Sequence, residues 1–396
     1  MNVLLVRYSE VFLKGQNRGF FERRLRQKLS RAVAGISGAR VEGVHGRYLV
    51  WPGVDGVAAV ERAVSRVFGV ASISNARVIP RSAGINPEAI YAVAVEEARA
   101  EVARLGLARP PRFKVESRRS DKRFQPTSPE LSRLCGAEIV RALSLPVDVH
   151  RPEITINLEI GYDHAFVYSS QIAGPGGLPT GVSGRVELLL SGGIDSPVAG
   201  WLMQKRGCVV GATYFHSFPF TGEKTKDKVV ALGRKLANWQ LEPMALSVVG
   251  FTDTQKKLRD VTGDGRLAVV LYRRQMLRVA SELAKAHYAS ALITGEALAQ
   301  VASQTLENLT VIAQATTLPI LRPCIGHDKI ETIGLAERIG TFETSILPYD
   351  DCCSLFVPKH PATRAKLEDV LALESKLDIA ALTADCLAKT ETILCE

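Results

Sequence analysis

No run in this sequence approaches the roughly 18 consecutive apolar residues that a membrane helix needs. The first residues, MNVLLVRYSE, lack the basic n-region and long apolar core of a signal peptide. A cytoplasmic protein with no membrane partner is therefore expected. The seven cysteines are an odd count with no C-x-x-C pair. That leaves a zinc ribbon, a thioredoxin-type site and a disulfide framework without support. Histidines do not cluster with cysteines or carboxylates at ligand spacing, so no zinc site is expected. Repeats and low-complexity tails are missing, and so is the G-x-x-x-x-G-K-[ST] phosphate loop.

What is present is a globular composition, 46% hydrophobic and 23% charged, in 396 residues. That length is too great for one ordinary core, so more than one domain is expected. The net charge of +9 is unevenly placed: residues 1–170 hold 26 Lys+Arg against 17 Asp+Glu, and the remainder holds 24 against 24. A polyanion such as a nucleic acid bound by the N-terminal part would account for that excess.

Hydrophobic periodicity divides the chain. NVLLVRY reads as a strand, NRGFFERRLRQKLSRAVAG as a helix, ARVEGVHGRYLVW as a strand or a hairpin turning at Gly46, and VAAVERAVSRVFGV as a helix. This β-α-β-α order suggests a small α+β unit of ferredoxin-like type. A second block follows. It has a helix capped by Asn86, a strand and basic loop in RFKVESRRSDKRFQPTSPEL, a helix capped by Ser128, and strands in EITINLEIGYDHAFVYSSQI. The Gly/Pro run AGPGGLPTGVSG reads as a linker. Beyond it strands and helices alternate, which predicts a parallel sheet with helices on both faces, and the stretch after Pro361 reads as one or two helices.

The sharpest local signal is VELLLSGGIDSPVAG, from Val186 to Gly200. A strand ending at Leu190 and a helix starting near Pro197 leave Ser191, Gly192, Gly193, Ile194, Asp195 and Ser196 as a tight turn. Glycines let a ligand approach the main chain closely, and loop N–H groups at a helix N-terminus make an anion site. Ser191 and Ser196 add hydroxyl donors. Asp195 would repel a bare phosphate, so it suits a ligand to Mg²⁺ or the substrate side of the site.

S-G-G-I-D-S after a strand resembles the PP-loop of the ATP pyrophosphatase superfamily, whose members split ATP between the α- and β-phosphates and adenylate a substrate. GEALAQVASQTLENL, RPCIGHDKIETI, PYDDCC, SEVFLKGQNRGFF and GPGGLPTG extend the resemblance, in order and over essentially the full length, to the tRNA 4-thiouridine synthase branch. The resemblance implies an N-terminal ferredoxin-like α+β domain (1–56), a THUMP tRNA-binding domain (57–170), a Gly/Pro linker (171–184) and a doubly wound parallel-sheet PP-loop domain (185–396). It implies an ATP-dependent sulfurtransferase. ATP adenylates the C4 oxygen of uridine at tRNA position 8, and persulfide sulfur then displaces AMP.

Carried over motif by motif, Leu189, Leu190 and the loop Ser191 to Ser196 form the ATP-binding strand end and loop. Tyr214 and Phe215 match the adenine-side pair, and Arg274 a phosphate contact. Gly295 gives nucleotide clearance, Gln304 a hydrogen bond to nucleotide or base, and Lys329 charge neutralisation at the transferred group. The acceptor cysteine is Cys352 or Cys353, with Cys353 preferred. Some members carry a rhodanese domain; this sequence ends at Glu396 without one, so sulfur is expected from a cysteine desulfurase or another persulfide donor. Cys386 and Cys395 read as incidental rather than as relay thiols. Some members also serve thiamine thiazole synthesis through a sulfur-carrier protein, and the family suggests a homodimer.

For the RNA side, Arg118, Arg119, Lys122 and Arg123 flank the aromatic Phe124, a combination suited to phosphate contacts with a stacking ring. Lys14, Arg18 and Arg47 would add to the same face. Two other readings stand beside this one: another PP-loop adenylating enzyme, which leaves GEALAQVASQTL and PYDDCC unexplained, and a non-catalytic RNA-binding protein with a regulatory nucleotide site.

Overall fold

The computed structural model describes residues 2–8, 10–44, 46–80, 86–349 and 360–396. Cys352 and Cys353 lie outside the described residues. The chain forms two compact units, Met1–Gly177 and Leu178–Glu396.

The first unit is built from β1 (Asn2–Tyr8), α1 (Arg18–Val33), β2 (Arg40–Val44), β3 (Arg47–Trp51), α2 (Gly56–Val64), β4 (Val70–Pro80), α3 (Pro87–Leu105), β5 (Phe113–Arg119), α4 (Ser128–Leu143), β6 (Ile154–Ile160), β7 (His164–Tyr168) and β8 (Ile172–Ala173). All its strands join one sheet in the order β2-β3-β1-β4-β7-β6-β5, with β8 also on β4. The apolar run of β1 is buried from Val3 to Val6, as expected of a central strand. β2 and β3 are the hairpin anticipated around Gly46. β4 pairs with β1 from Val70 to Arg77 and with β7 from Arg77 to Pro80. A single long strand thus joins the two α+β halves, and no break in the sheet falls at residue 56.

Two local expectations change. α4 is capped by Thr127 rather than Ser128: the Thr127 N–H and hydroxyl donate to Glu130 at 2.9 and 2.6 Å, and Ser128 is already helical. Asn86 does cap α3, accepting from the Glu88 N–H at 3.2 Å, and Gly106 ends that helix at φ 59°. Phe124 is not a surface ring. It is 7% exposed and packs into the core with Ile90, Leu131 and Ile156, so it presents no face for a base.

The second unit has β9 (Arg185–Leu189), α5 (Asp195–Lys205), β10 (Val209–His216), α6 (Glu223–Gln240), β11 (Met244–Gly250), α7 (Thr252–Asp260), α8 (Ala268–Ala286), β12 (Leu292–Ile293), α9 (Leu306–Ala313), β13 (Ile320–Leu321), α10 (Lys329–Ile339), α11 (Phe342–Ser345), α12 (Leu367–Glu374), α13 (Ile379–Ala388) and β14 (Thr390–Cys395). The sheet order is β13-β12-β9-β10-β11-β14. It is parallel except for β14, an antiparallel edge strand on β11 where only helix was expected. Successive residues of β9 serve opposite faces. Leu188 lies under Gly200 of α5, while Leu189 packs against the cluster around α8. The chain runs from β9 to β10 and β11, then returns to the other side of β9 with β12. Strand order therefore reverses between β9 and β12, and ligands of such sheets sit beyond the carboxyl ends of the strands at that point.

Candidate nucleotide and RNA sites

The Ser191–Ser196 turn lies at this reversal. Its serines first shape the loop. The Ser191 N–H donates to Ser196 Oγ (2.9 Å), Ser196 Oγ donates back to the Ser191 carbonyl (3.3 Å), and the Gly193 N–H donates to Ser191 Oγ (3.3 Å). α5 starts at Asp195, so the positive end of its dipole faces the turn. A Cβ at Gly192 would sit 3.3 Å from Cε of Lys228, a buried lysine that brings positive charge under the loop. Gly295, which follows β12, meets a further constraint besides the nucleotide clearance expected of it. A Cβ there would lie 2.6 Å from the Ser196 nitrogen, so glycine lets β12 close against the loop backbone.

The loop opens onto a cavity of about 550 Å³. Leu189, Leu190, Ser191, Gly193, Asp195, Ser196, Tyr214, Phe215, Gly295 and Gln304, each expected from the sequence, line it. Gln304 is 8% exposed, and its Oε1 has no hydrogen-bond partner among the described residues. A buried acceptor of this kind is costly unless a ligand satisfies it. Lys329, the first residue of α10, reaches the loop: its ammonium donates to both carboxylate oxygens of Asp195 at 2.7 and 2.9 Å, and the Gln300 amide donates to the same carboxylate at 3.3 Å.

Arg274 requires correction. It is 2% exposed, donates to Glu374 at 2.8 and 2.9 Å and to the Val311 carbonyl, and does not line the cavity. Its guanidinium is consumed inside the unit. Neighbouring Arg273 faces the cavity, and Arg322 does too. Both donate to Glu296, Arg322 at 2.6 Å, and Thr294 adds a hydroxyl at 2.8 Å. Burial alone would raise the Glu296 carboxyl, but the two guanidiniums hold it below the usual carboxylate range. Two cations against one anion leave a positive wall suited to a polyphosphate. Glu296, Gln300 and Arg322 stand within GEALAQ and RPC, stretches that marked a motif without distinguishing these side chains.

Among the described cysteines, Cys135, Cys208, Cys324, Cys386 and Cys395 are free and buried. Burial pushes the Cys324 thiol up to about 12, with Asp195 adding to the rise, and burial also raises Cys386 and Cys395. These are protonated packing groups and poor nucleophiles. No group of three or more metal-ligating side chains occurs among the described residues, and no helix among them is long and apolar enough to cross a membrane.

In the first unit the expected RNA-contacting cations divide. Arg118 and Lys122 are exposed. Arg123 holds Asp121 at 3.0 Å, and Arg119 bonds Ser128 Oγ at 3.3 Å and the Phe124 carbonyl. Arg47 pairs with Glu159, and Arg18 with Glu22 at 2.8 Å, while Lys14 lies 5.1 Å from the Phe21 ring centroid. Arg18 and Arg47, with Tyr8, Glu22 and Tyr48, border a pocket of about 360 Å³.

Residues 181–379 match the family described as thiamine biosynthesis protein (ThiI), residues 3–74 the ThiI ferredoxin-like domain, and residues 86–170 the THUMP domain. A probable tRNA sulfurtransferase of Caldanaerobacter subterraneus subsp. tengcongensis is 44% identical over 378 residues, covering 95% of this chain and 96% of that protein. Its counterpart in Moorella thermoacetica is 45% identical over 394 residues, covering 99% and 97%. Among solved structures, a 4-thiouridine synthetase–RNA complex with bound ATP matches 100% of both chains with a TM-score of 0.90 at 34% identity. With that likeness running from one end of the sequence to the other, and the glycine loop and cavity where a PP-loop enzyme needs them, the chain belongs to the ThiI family of tRNA sulfurtransferases.

Proposed function

We propose that the chain is an ATP-dependent tRNA sulfurtransferase that installs 4-thiouridine at tRNA position 8. The observation that carries this reading is the cavity at the strand-order reversal, lined by the glycine loop, in a chain that aligns throughout with an ATP-bound, RNA-bound 4-thiouridine synthetase. The donor set suits a nucleoside triphosphate. The loop and α5 N-terminus offer N–H groups, Arg273 and Arg322 offer guanidiniums, and Gln304 offers an unsatisfied acceptor. Mg²⁺ needs only one or two carboxylates beside substrate phosphates, so Asp195 would serve as its protein ligand.

In the proposed reaction, the C4 oxygen of the uridine attacks the α-phosphorus and pyrophosphate leaves. Lys329, released from Asp195, would balance the charge at the transferred phosphoryl group. A thiolate at Cys352 or Cys353 attacks the inner sulfur of a donor persulfide, forming a mixed disulfide and freeing hydrosulfide. The sulfide adds to C4, and AMP departs with the former C4 oxygen. The first unit holds the tRNA, with Arg118 and Lys122 as exposed phosphate contacts. A second reading, sulfur delivery for thiamine thiazole through a carrier protein, draws on the description of the family matched at residues 181–379.

Mass spectrometry of nucleosides from tRNA incubated with the protein, ATP and a persulfide source tests the reading. 4-Thiouridine is the expected product. Asp195→Ala should lower its formation by about a hundredfold or more, while gel-shift affinity for tRNA stays within about twofold because the positive excess lies elsewhere. No product, or affinity that falls in step with activity, would overturn it.

A further inference from the structure

The strand that supplies Tyr214 and Phe215 to the cavity wall continues outward in a way the nucleotide site does not use. Tyr214, His216 and Phe218 alternate along and just past the end of β10 and follow one another outward with tilted rings. Ring centroids are 5.8 Å apart for Tyr214–His216 and 6.2 Å for His216–Phe218. This ladder starts at the cavity and ends in solvent, with Phe218 57% exposed and Phe220 47% exposed. The exposure is not that of a loose loop. The Ser217 N–H donates to Thr221 Oγ1 (3.1 Å), the Thr221 N–H donates to the Ser217 carbonyl (2.9 Å), and Ser217 Oγ donates to Gln255 (2.7 Å). Thr252 Oγ1 in turn donates to the Phe218 carbonyl (2.7 Å). Two half-exposed phenylalanines are thus carried on a braced turn, with apolar surface left in contact with water.

The surroundings are cationic and carry an unsatisfied polar group. The Lys256 ammonium lies 5.1 Å from the Phe220 ring centroid. The acidic neighbour Asp253 is answered by Lys389 at 3.0 Å. His216 is 8% exposed, and its Nε2 has no hydrogen-bond partner among the described residues. Ring faces beside ammonium groups are the chemistry that binds unstacked nucleotides.

We infer that Phe218 and Phe220, with Lys256, form a stacking platform in the second unit for an unpaired nucleotide of the tRNA next to the reacting uridine. The inference rests on the sulfurtransferase reading. Chemistry at a base inside folded RNA requires unstacking that base, and its neighbour then needs a substitute surface. The platform places the substrate, whereas overall affinity resides with the charge excess of residues 1–170.

The test uses the full chain, a tRNA transcript, ATP, and either free sulfide or a protein persulfide as sulfur source. Changing Phe218 and Phe220 together to Ala should lower kcat/KM for tRNA about tenfold with both sources, the scale of losing one base–aromatic stack. Changing both to Trp should keep the rate, and changing both to Leu should not. Lys256→Glu, a surface change that spares the braced turn, should act in the same direction. Loss with the protein donor alone would overturn the platform and mark a docking face for that donor. Leu performing like Phe, or no loss in any variant, would overturn it too. Absence of turnover in the unaltered chain would count against the sulfurtransferase reading by itself. The platform is then read from 2-aminopurine placed beside the target uridine. Its fluorescence should change on binding the unaltered chain and not the Ala variant, and equal changes with both would overturn the platform.

Discussion

Each unit contains a carboxylate gripped by two arginines. In the first, Glu159 takes Arg7 at 3.0 Å and Arg47, with the Tyr168 hydroxyl donating at 2.6 Å. In the second, Glu296 takes Arg273 and Arg322, with the Thr294 hydroxyl. Burial alone would raise both carboxyls, and the flanking guanidiniums hold both below the usual carboxylate range. Exposure does not distinguish the arginines either, at 23% and 21% in the first unit and 21% and 20% in the second. The difference lies in what else the guanidiniums meet. Arg7 and Arg47 lie over the rings of Tyr168 and Phe166, at 5.0 and 5.6 Å, so their faces are already spent on aromatic contacts. Arg273 and Arg322 face the 550 Å³ cavity. Arg47 also borders the 360 Å³ pocket, so neither an ion-pair pattern nor an open volume beside it marks the nucleotide site; the glycine loop and the α5 N-terminus in the second cavity do.

The strongest way to break this comparison is at the arginine that faces no cavity. Arg274→Ala should leave the buried Glu374 with Arg278 as its remaining guanidinium and the Val311 carbonyl without its donor, and cost about 3 kcal/mol of stability. Arg273→Ala should raise KM for ATP with far less loss of stability. Chemical denaturation and ATP titration of the two variants separate them, and equal stability losses would show that the neighbours are not divided between structure and site.

A smaller effect sharpens the contrast of carboxylates. Glu296→Gln should weaken ATP use by about 2 kcal/mol, or roughly thirtyfold in KM, because both guanidiniums lose their charged anchor. Glu159→Gln should lower stability while leaving KM for ATP unchanged. ATP dependence of pyrophosphate release measures both, and a shift of KM in Glu159→Gln would remove the distinction.

The smallest effect comes from another buried carboxylate, one with a titrating partner. Glu187 is fully buried, accepts from Thr213 Oγ1 at 2.7 Å and lies 3.2 Å from Nδ1 of His287. The hydrogen bond to Glu187 raises the His287 pKa, against partial burial that lowers it. A raised folded-state pKa gives stability that is complete below the unfolded value of about 6.5 and lost as pH rises through the folded value. Replacing His287 with Gln should therefore cost about 0.5 kcal/mol more at about pH 6 than at about pH 8.5. Urea denaturation at the two pH values checks the sign, and a difference that grows with pH would reverse it.

What could be read in advance follows from the range of the causes. The Ser191–Ser196 turn was legible because strand, glycines, proline and helix are adjacent in sequence, and Asn86 was legible for the same reason. The choice between Arg274 and Arg273 was not. Consecutive helical residues point about 100° apart, and which one meets the cavity depends on Glu374, a hundred positions away. Phe124 sits among basic residues in sequence but folds under α3 and α4, so its neighbours misrepresent it. Glu296 shows no local pattern, since its partners come from α8 and from the segment after β13. β14 reads as a continuation of helix because its template, the free edge of β11, lies some 140 residues earlier.

The long strand β4 has a consequence for dissecting the molecule. Among the described residues it is the seam through which the ferredoxin-like and THUMP halves share a ladder of backbone hydrogen bonds. A fragment cut between those halves must either forfeit the strand or carry it with one flank unsheathed. In both cases a row of unpaired amide and carbonyl groups would invite other chains to add to it. The halves recognised as separate modules by sequence share one sheet and lie in one compact unit. Excision of either one should yield material that self-associates, whereas a cut after Gly177 leaves every strand of that sheet with its neighbours.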